Sequence, residues 1–549
     1  MFNIQNYSKQ NIKNDVLSGA LVSVALVPEA IAFSFIAGVS PVVGLYAAFI
    51  IGVITSLMGG KPGMISGATG SVAVVFISMG LWVKQHYVGL DAEALSMMIL
   101  HYILVTSIIA GLIQISIGLM KMGKFIRLVP QPALFGFVNG LAIVIALAQL
   151  TFLAPVNIAQ YDHQWIPIIK ASLSENYIMY IIIILTMATM QFLPKVSKAV
   201  PAGLVAIVVI TLVVNFGSLL EVLAMLFNID HASFSHLSNI NTKTVGQMAD
   251  LSNVSFPHFV LPNFSLLFSP ESLKVIIPTA VIVALVGLIE SLLTLSVLDE
   301  MGGKRGSGNK ECVALGVGNT TAGLFGGMAG CAMIGQSVIN FTSGGLGRLS
   351  SFTAAVLLIV LVVMFSPVIA AIPVAVLVGI MFMVSIGTFE FSSMKRITHM
   401  PKADAFVLVV VTIITVFADL AVAVIAGIII SALVFAWEHA KIFAHTTEEN
   451  GKKIYELDGP LFFGSVTSFN EQFELEEDPK EVIIDFKKAR VMDSSGAEAI
   501  DAITEKYKKI GKKLTLRHLS EDCKKTLKTA GPFCTYEEDD PTYKVAHDV

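Results

Sequence analysis

The chain has 549 residues, of which 55% are hydrophobic and 14% charged, with a formal net charge of −4 and a mean hydropathy of +0.77. That balance excludes an ordinary soluble protein of this length and implies a polytopic membrane protein. The four cysteines (Cys312, Cys331, Cys523 and Cys534) form no CxxC pair or zinc spacing, so they read as ordinary small residues rather than metal ligands or a disulfide framework.

The first fifteen residues are polar and precede the apolar region by too long a stretch for a signal peptide, predicting a cytoplasmic segment over 1–15. Apolar runs follow near 16–38, 43–58, 64–81, 98–119, 128–153, 177–193 and 200–220. A polar stretch over 221–270 interrupts them. They resume near 274–298, 311–328, 331–342, 352–367, 370–387, 404–418 and 420–438. The expectation is a transport domain over 16–440, with fourteen transmembrane segments in two sets of seven (16–220 and 274–440) around an outside loop. With the N-terminus inside, most basic residues between spans fall in cytoplasmic loops, among them Lys61, Lys121, Lys124, Arg127, Lys198, Arg348 and Lys395. The outside loops hold Lys84, Lys170 and Lys243, which satisfies the positive-inside rule and places both termini in the cytoplasm.

The third and tenth runs are too short to cross as plain helices. Each follows a glycine pair, Gly59-Gly60 or Gly326-Gly327, at matching places in the two sets. Paired short, glycine-interrupted segments point to a binding site in an inverted-repeat transporter. Two helix N-termini starting there would present unpaired N–H groups suited to an anion.

Glu290 lies within the eighth run, Ile276 to Leu298. An acid there costs on the order of 2.5–3.5 kcal/mol on insertion scales, and such residues mark ion or substrate pathways. Thr294 shares its helical face. Glu290 would either load and release a proton or hold Na⁺ with the hydroxyls of Thr294 and Ser337; the alternative is that it only hydrogen-bonds within the bundle. Glu29, one residue after Pro28, either serves backbone donors freed by the proline or lies on the transport pathway. Asp419 reads as an outside turn residue, the segment around His231 and His236 as a solvated loop, and Gly302–Glu311 as a connector without the phosphate-loop spacing.

About half of the charged side chains fall from Lys441 onward. There the pattern alternates between strands (KIYELDGPLFFG, EVIIDFKK, KKLTLRHL) and helices (SSGAEAIDAITEKYKKIG, SEDCKKTLKTAG), predicting a small cytoplasmic α/β domain over 445–549. The domain lacks a basic stripe for nucleic acid.

Four motifs, LVPEAIAFSFIAG, ISGATG, GLIESLLT and GCAMIGQSVINFTSGG, followed by a tail carrying MDSSG, resemble in order the sulfate permease (SulP) family of anion transporters, with a C-terminal STAS domain. These are bacterial relatives of prestin and pendrin. The resemblance implies a 7+7 inverted repeat with core and gate domains, homodimers, and elevator-like alternating access in the plasma membrane. It implies an anion site of Thr69, Gly70 and Ser71 on the third span and Ile334, Gly335 and Gln336 on the tenth, walled by Glu29 and Phe33. Two positions depart from the family pattern. The proline often preceding Thr69 is Ala68, and an arginine found in animal relatives falls at Gln336. Without that arginine, anion binding relies on helix dipoles, backbone N–H groups and any co-bound cation. Relatives thought to use Na⁺ often carry Asp where this chain has Glu290, which leaves less room and favours H⁺. Ser494 maps onto a phosphoacceptor of soluble STAS proteins, with helix capping by Ser494 and Ser495 as the alternative.

The expected function is secondary transport of a small inorganic anion, sulfate or bicarbonate, by H⁺ or Na⁺ symport through Glu290, with no catalytic role and no cofactor. The alternatives are an uncoupled channel or exchanger, a dicarboxylate transporter, or a membrane sensor signalling through a cytoplasmic regulator at STAS.

Overall fold

In hydrocarbon every backbone polar group must be paired internally, so the apolar runs become helices. The computed structural model describes residues 9–123, 131–153, 176–196, 202–215, 242–248, 255–303, 305–417, 426–427, 429–430, 432–434, 441–449, 451–528 and 532–536. Two units make up the chain, Met1–Ile428 and Ile429–Val549.

In the first unit the principal helices are α1 (Lys9–Ala37), α2 (Pro41–Met58), α3 (Gly70–His86), α4 (Ala92–Leu119), α5 (Gln131–Leu153), α6 (Tyr177–Val196) and α7 (Ala202–Val214). The second half supplies α8 (Pro270–Gly302), α9 (Gly308–Leu324), α10 (Ile334–Thr342), α11 (Arg348–Met364), α12 (Val374–Thr388) and α13 (Lys402–Phe417). Seven helices among the described residues are long and apolar enough to cross a membrane. Each expected span through 404–418 carries a helix. The span expected over 420–438 lies largely outside the described residues, as do Lys124, Arg127, Lys170, Lys198, Asp419, His231 and His236.

Several helices begin earlier than the apolar runs, and in α4 and α8 a polar cap opens the added turn. Asp91 accepts the Ala94 N–H at 2.7 Å and opens α4. Ser269 caps α8, with Pro270 in its first turn.

Helices α1–α4 and α8–α11 form one packed group, and α5–α7 with α12 and α13 form another. Each group draws on both sequence halves. Within the first, α4 and α9 approach backbone to backbone at Gly111 and Gly316. A Cβ on Gly111 would stand 2.6 Å from the Gly316 carbonyl oxygen, so only glycine permits this approach.

The second unit is a four-stranded sheet of β3 (Phe443–Glu449), β4 (Lys452–Leu461), β5 (Glu481–Val491) and β6 (Lys513–Arg517), in that order. (Two short strands of the first unit, β1 at Ser66–Gly67 and β2 at Cys331–Ala332, precede them in the chain.) The β3–β4 pair is antiparallel and the other two pairs are parallel. Its longer helices are α14 (Ser494–Lys509) and α15 (Glu521–Leu527), beside a single short turn of helix at Val466–Asn470. Its core gathers Tyr455, Phe469, Ile484, Phe486, Ile500 and Tyr507.

Candidate functional site

The residues before α3 are not helical, although the third apolar run includes them. Ser66–Gly67 form a short strand, β1, paired antiparallel with β2 (Cys331–Ala332) from the other half, in the register Ser66 to Ala332 and Gly67 to Cys331. Gly330 makes the crossing possible, because a Cβ there would overlap the Gly67 carbonyl. The Met333 N–H donates to the Ile65 carbonyl at 2.9 Å, and the Ile65 N–H donates to Ser337 Oγ at 2.9 Å.

Irregular backbone inside a helical bundle needs side-chain partners, and neighbouring helices provide them. Ser107 accepts the Ala329 N–H at 2.8 Å, Asn319 the Gly330 N–H at 2.9 Å and Ser291 the Ala332 N–H at 3.0 Å. Sequence reasoning missed these three residues; their signal was a polar side chain inside an apolar run.

Helix α3 starts at Gly70 and α10 at Ile334, each shortly beyond the paired strands. Neither receives a side-chain cap, so first-turn N–H groups remain available and carry the partial positive charge of a helix N-terminus. The two ends differ in access. At Gly70 a Cβ would meet Phe33 Cε1 at 2.9 Å and Ile145 Cδ1 at 3.0 Å, so the ring of Phe33 lies over the end of α3. At Gly335 nothing lies within 4 Å of that position, and Ile334 is 37% exposed. The open approach is therefore to α10.

Two carboxylates meet these helix ends. Gln336 Nε2 donates to Glu29 Oε1 at 2.6 Å, while Gln336 Oε1 is buried without a partner among the described residues. Glu290 Oε2 accepts hydrogen bonds from the Ser71 hydroxyl and, at 2.9 Å, from the Cys331 thiol. Thr69 Oγ1 stands 3.1 Å from Ser71 Oγ and 3.0 Å from Cys331 Sγ.

Among the described residues the Glu290 carboxylate is hydrogen-bonded to neither Thr294 nor Ser337, the hydroxyls expected beside it. The Thr294 hydroxyl donates to the Glu290 main-chain carbonyl at 2.8 Å, the usual back-bond of a helical threonine. The Ser337 hydroxyl is occupied by Ile65. Thr69, Ser71 and Cys331 surround the carboxylate instead. Cys331 had no motif spacing to announce it; its place opposite Gly67 in the strand pair brings it in. No cluster of three or more His, Cys, Asp or Glu that could hold a metal occurs among the described residues.

In the second unit, Ser494 is the exposed first residue of α14. Neither Ser494 nor Ser495 caps this helix, contrary to the capping alternative. Asp493 is the cap, accepting the Gly496 N–H at 2.9 Å with one oxygen and the Phe463 N–H at 3.0 Å with the other.

Comparison with known proteins places this geometry. Residues 12–412 match the sulfate permease family model. The chain belongs to the sulfate permease family. Residues 444–545 match the STAS domain model, so this member of the family carries a STAS domain behind its membrane unit. It is 40% identical over 521 residues to YbaR of Bacillus subtilis, covering 94% of this chain and 97% of that protein. It is 30% identical over 392 residues to the bicarbonate transporter BicA of Picosynechococcus sp., covering 70% and 63%. Among solved structures, SLC26A9 superimposes with a TM-score of 0.77 at 18% identity, covering 96% of this chain and 87% of that one, a likeness of fold. The transmembrane domain of a cyanobacterial BicA gives 0.61 at 26% identity, covering 76% and 98%.

Proposed function

We propose that this member of the sulfate permease family imports a small inorganic anion, sulfate or bicarbonate, across the plasma membrane by symport with H⁺ or Na⁺ carried at Glu290. The observation that supports the reading is the meeting of two uncapped helix N-termini with a carboxylate tied to both sides of the strand crossing. Ser71 belongs to α3 and Cys331 to β2, and both donate to Glu290. The anion sits on the N–H groups of Ile334 and Gly335, where access is open, with Gln336 and Phe33 beside it. An ionised Glu29 would repel the anion, so the Gln336–Glu29 pair makes protonation of Glu29 a second coupling route.

Binding by N–H groups and dipoles suits sulfate and bicarbonate alike, since each helix end offers roughly half a positive charge without a fixed cation. Alternating access is an elevator-like movement of the group α1–α4 and α8–α11 against α5–α7, α12 and α13, in a homodimer with cytoplasmic termini. Ser494 is a phosphoacceptor through which a cytoplasmic partner regulates the STAS domain.

The test is uptake of labelled sulfate and bicarbonate by purified protein in liposomes under separate inward H⁺ and Na⁺ gradients. Accumulation driven by either gradient supports the reading and names the ion. Flux indifferent to both gradients means a channel or exchanger. No flux of either anion turns attention to dicarboxylates or to sensing through STAS.

A further inference from the structure

Glu290 engages its neighbours through one oxygen. Oε2 takes the Ser71 hydroxyl and the Cys331 thiol, and Thr69 Oγ1 bridges those two donors. Ser71 Oγ and Cys331 Sγ lie 3.7 Å apart, so the four side chains form a closed ring in hydrogen-bond contact. Among the described residues no hydrogen bond reaches the other oxygen, Oε1.

The ring contains a sulfur where an oxygen would serve a hard cation. We propose that Cys331 determines which ion this carboxylate carries, restricting Glu290 to H⁺ and excluding Na⁺. The inference rests on the coupling role of Glu290 argued above.

The physical case has three parts. Hard cations take several oxygen ligands, whereas sulfur suits soft metals and a thiol is a weak acceptor. Neither hydroxyl expected beside the carboxylate joins the ring, since Thr294 donates to the Glu290 main-chain carbonyl and Ser337 is paired with Ile65. Finally, a Na⁺ ion entering the ring must part neighbours already in contact and displace the hydrogens between them. A proton needs none of this. It forms one O–H bond at Oε1, breaks no bond in the ring, and leaves Oε2 as acceptor for Ser71 and Cys331. The sulfur is also held in position, because Cys331 is buried and in register with Gly67 in the strand pair.

The experiment compares wild type, Cys331→Ser and Cys331→Ala in liposomes, with labelled anion uptake read under a Na⁺ gradient alone and an H⁺ gradient alone. Wild type should respond to H⁺ and not to Na⁺. Cys331→Ser supplies the missing oxygen, and its ratio of Na⁺-driven to H⁺-driven uptake should rise about tenfold or more, the effect of about 1.4 kcal/mol in relative ion binding. Cys331→Ala removes the sulfur without adding an oxygen and should gain no Na⁺ response, which a merely structural role would not separate from serine. Should Cys331→Ser fail to fold, Cys331→Thr places an oxygen at the same point. An unchanged ratio in the folded hydroxyl variant overturns the proposal. Wild-type uptake driven by Na⁺ also overturns it while leaving coupling at Glu290 standing, and wild-type uptake that follows neither gradient removes the coupling reading itself.

Discussion

Glu290→Gln tests whether the half-buried acid is there for chemistry or for packing. The substitution keeps the shape and removes the charge, so two opposing effects decide its stability. Hydrogen bonds to an ionised acceptor contribute about 1.5–3 kcal/mol each and neutral ones about 0.5–1.5. The Ser71 and Cys331 bonds therefore weaken by about 1–1.5 kcal/mol apiece, or about 2–3 kcal/mol together. Relief from holding an acid near the middle of α8 returns on the order of 2.5–3.5 kcal/mol. The two nearly cancel, and the variant should unfold within about 1 kcal/mol of wild type. Its glutamine mimics the proton-loaded carboxyl permanently. Anion counterflow between equal compartments should persist, while accumulation driven by a cation gradient should vanish. Thermal unfolding in detergent and the two transport assays in liposomes check these outcomes. Accumulation at the wild-type level would remove Glu290 from coupling, and a loss of several kcal/mol would show that the ring is mainly a structural support.

Gly330→Ala should cost about 2–4 kcal/mol and abolish uptake, because its methyl group drives β2 off the Gly67 carbonyl and breaks two or three main-chain bonds; unchanged thermal unfolding would contradict the crossing. Asp493→Ala should destabilise the STAS unit by about 1 kcal/mol as a lost cap, whereas Ser494→Ala should leave both its denaturation midpoint and basal transport unchanged. A larger effect at Ser494 would reverse that assignment. For Asp485, burial raises the carboxyl, but the Lys487 N–H, the Arg517 guanidinium and His518 outweigh it and hold it below the usual carboxylate range. A depressed value in the folded state gives stability that is present above the unfolded value and lost as pH falls through the folded one. Asp485→Asn should therefore be less stable than wild type at neutral pH, with the gap closing in acid; a gap that persists below the carboxylate range would refute the linkage.

The membrane helices were legible because apolar length is a strong signal, and Glu290 because an acid in such a run is costly. The paired glycines before the third and tenth runs located two helix starts. Strands β1 and β2 were not legible, since two residues carry no period and their pairing depends on a glycine opposite a carbonyl far along the chain. Cys331 was hidden for the same reason, because its partners come from α3 and α8 rather than from its own neighbourhood. Thr294 shares the face of Glu290 by helical spacing, but its hydroxyl donates to the main chain of its own helix rather than to the carboxylate. The edge strand β3 escaped notice because FAHTTEE is exposed along almost its whole length and shows no buried face.

The strand crossing also has a consequence for how the protein is made. Thr69 and Cys331, which close the ring, are separated by 262 residues, so helices α1–α7 leave the ribosome with β1 unpartnered. At roughly 5–20 residues per second, that separation corresponds to about 13–50 s of synthesis. For that interval the main-chain groups of Ser66 and Gly67 lack the strand that satisfies them at membrane depth. The nascent first half must shelter them with water, lipid headgroups or an insertion factor until β2 arrives. Biogenesis, and not only transport, therefore depends on the meeting of the two halves.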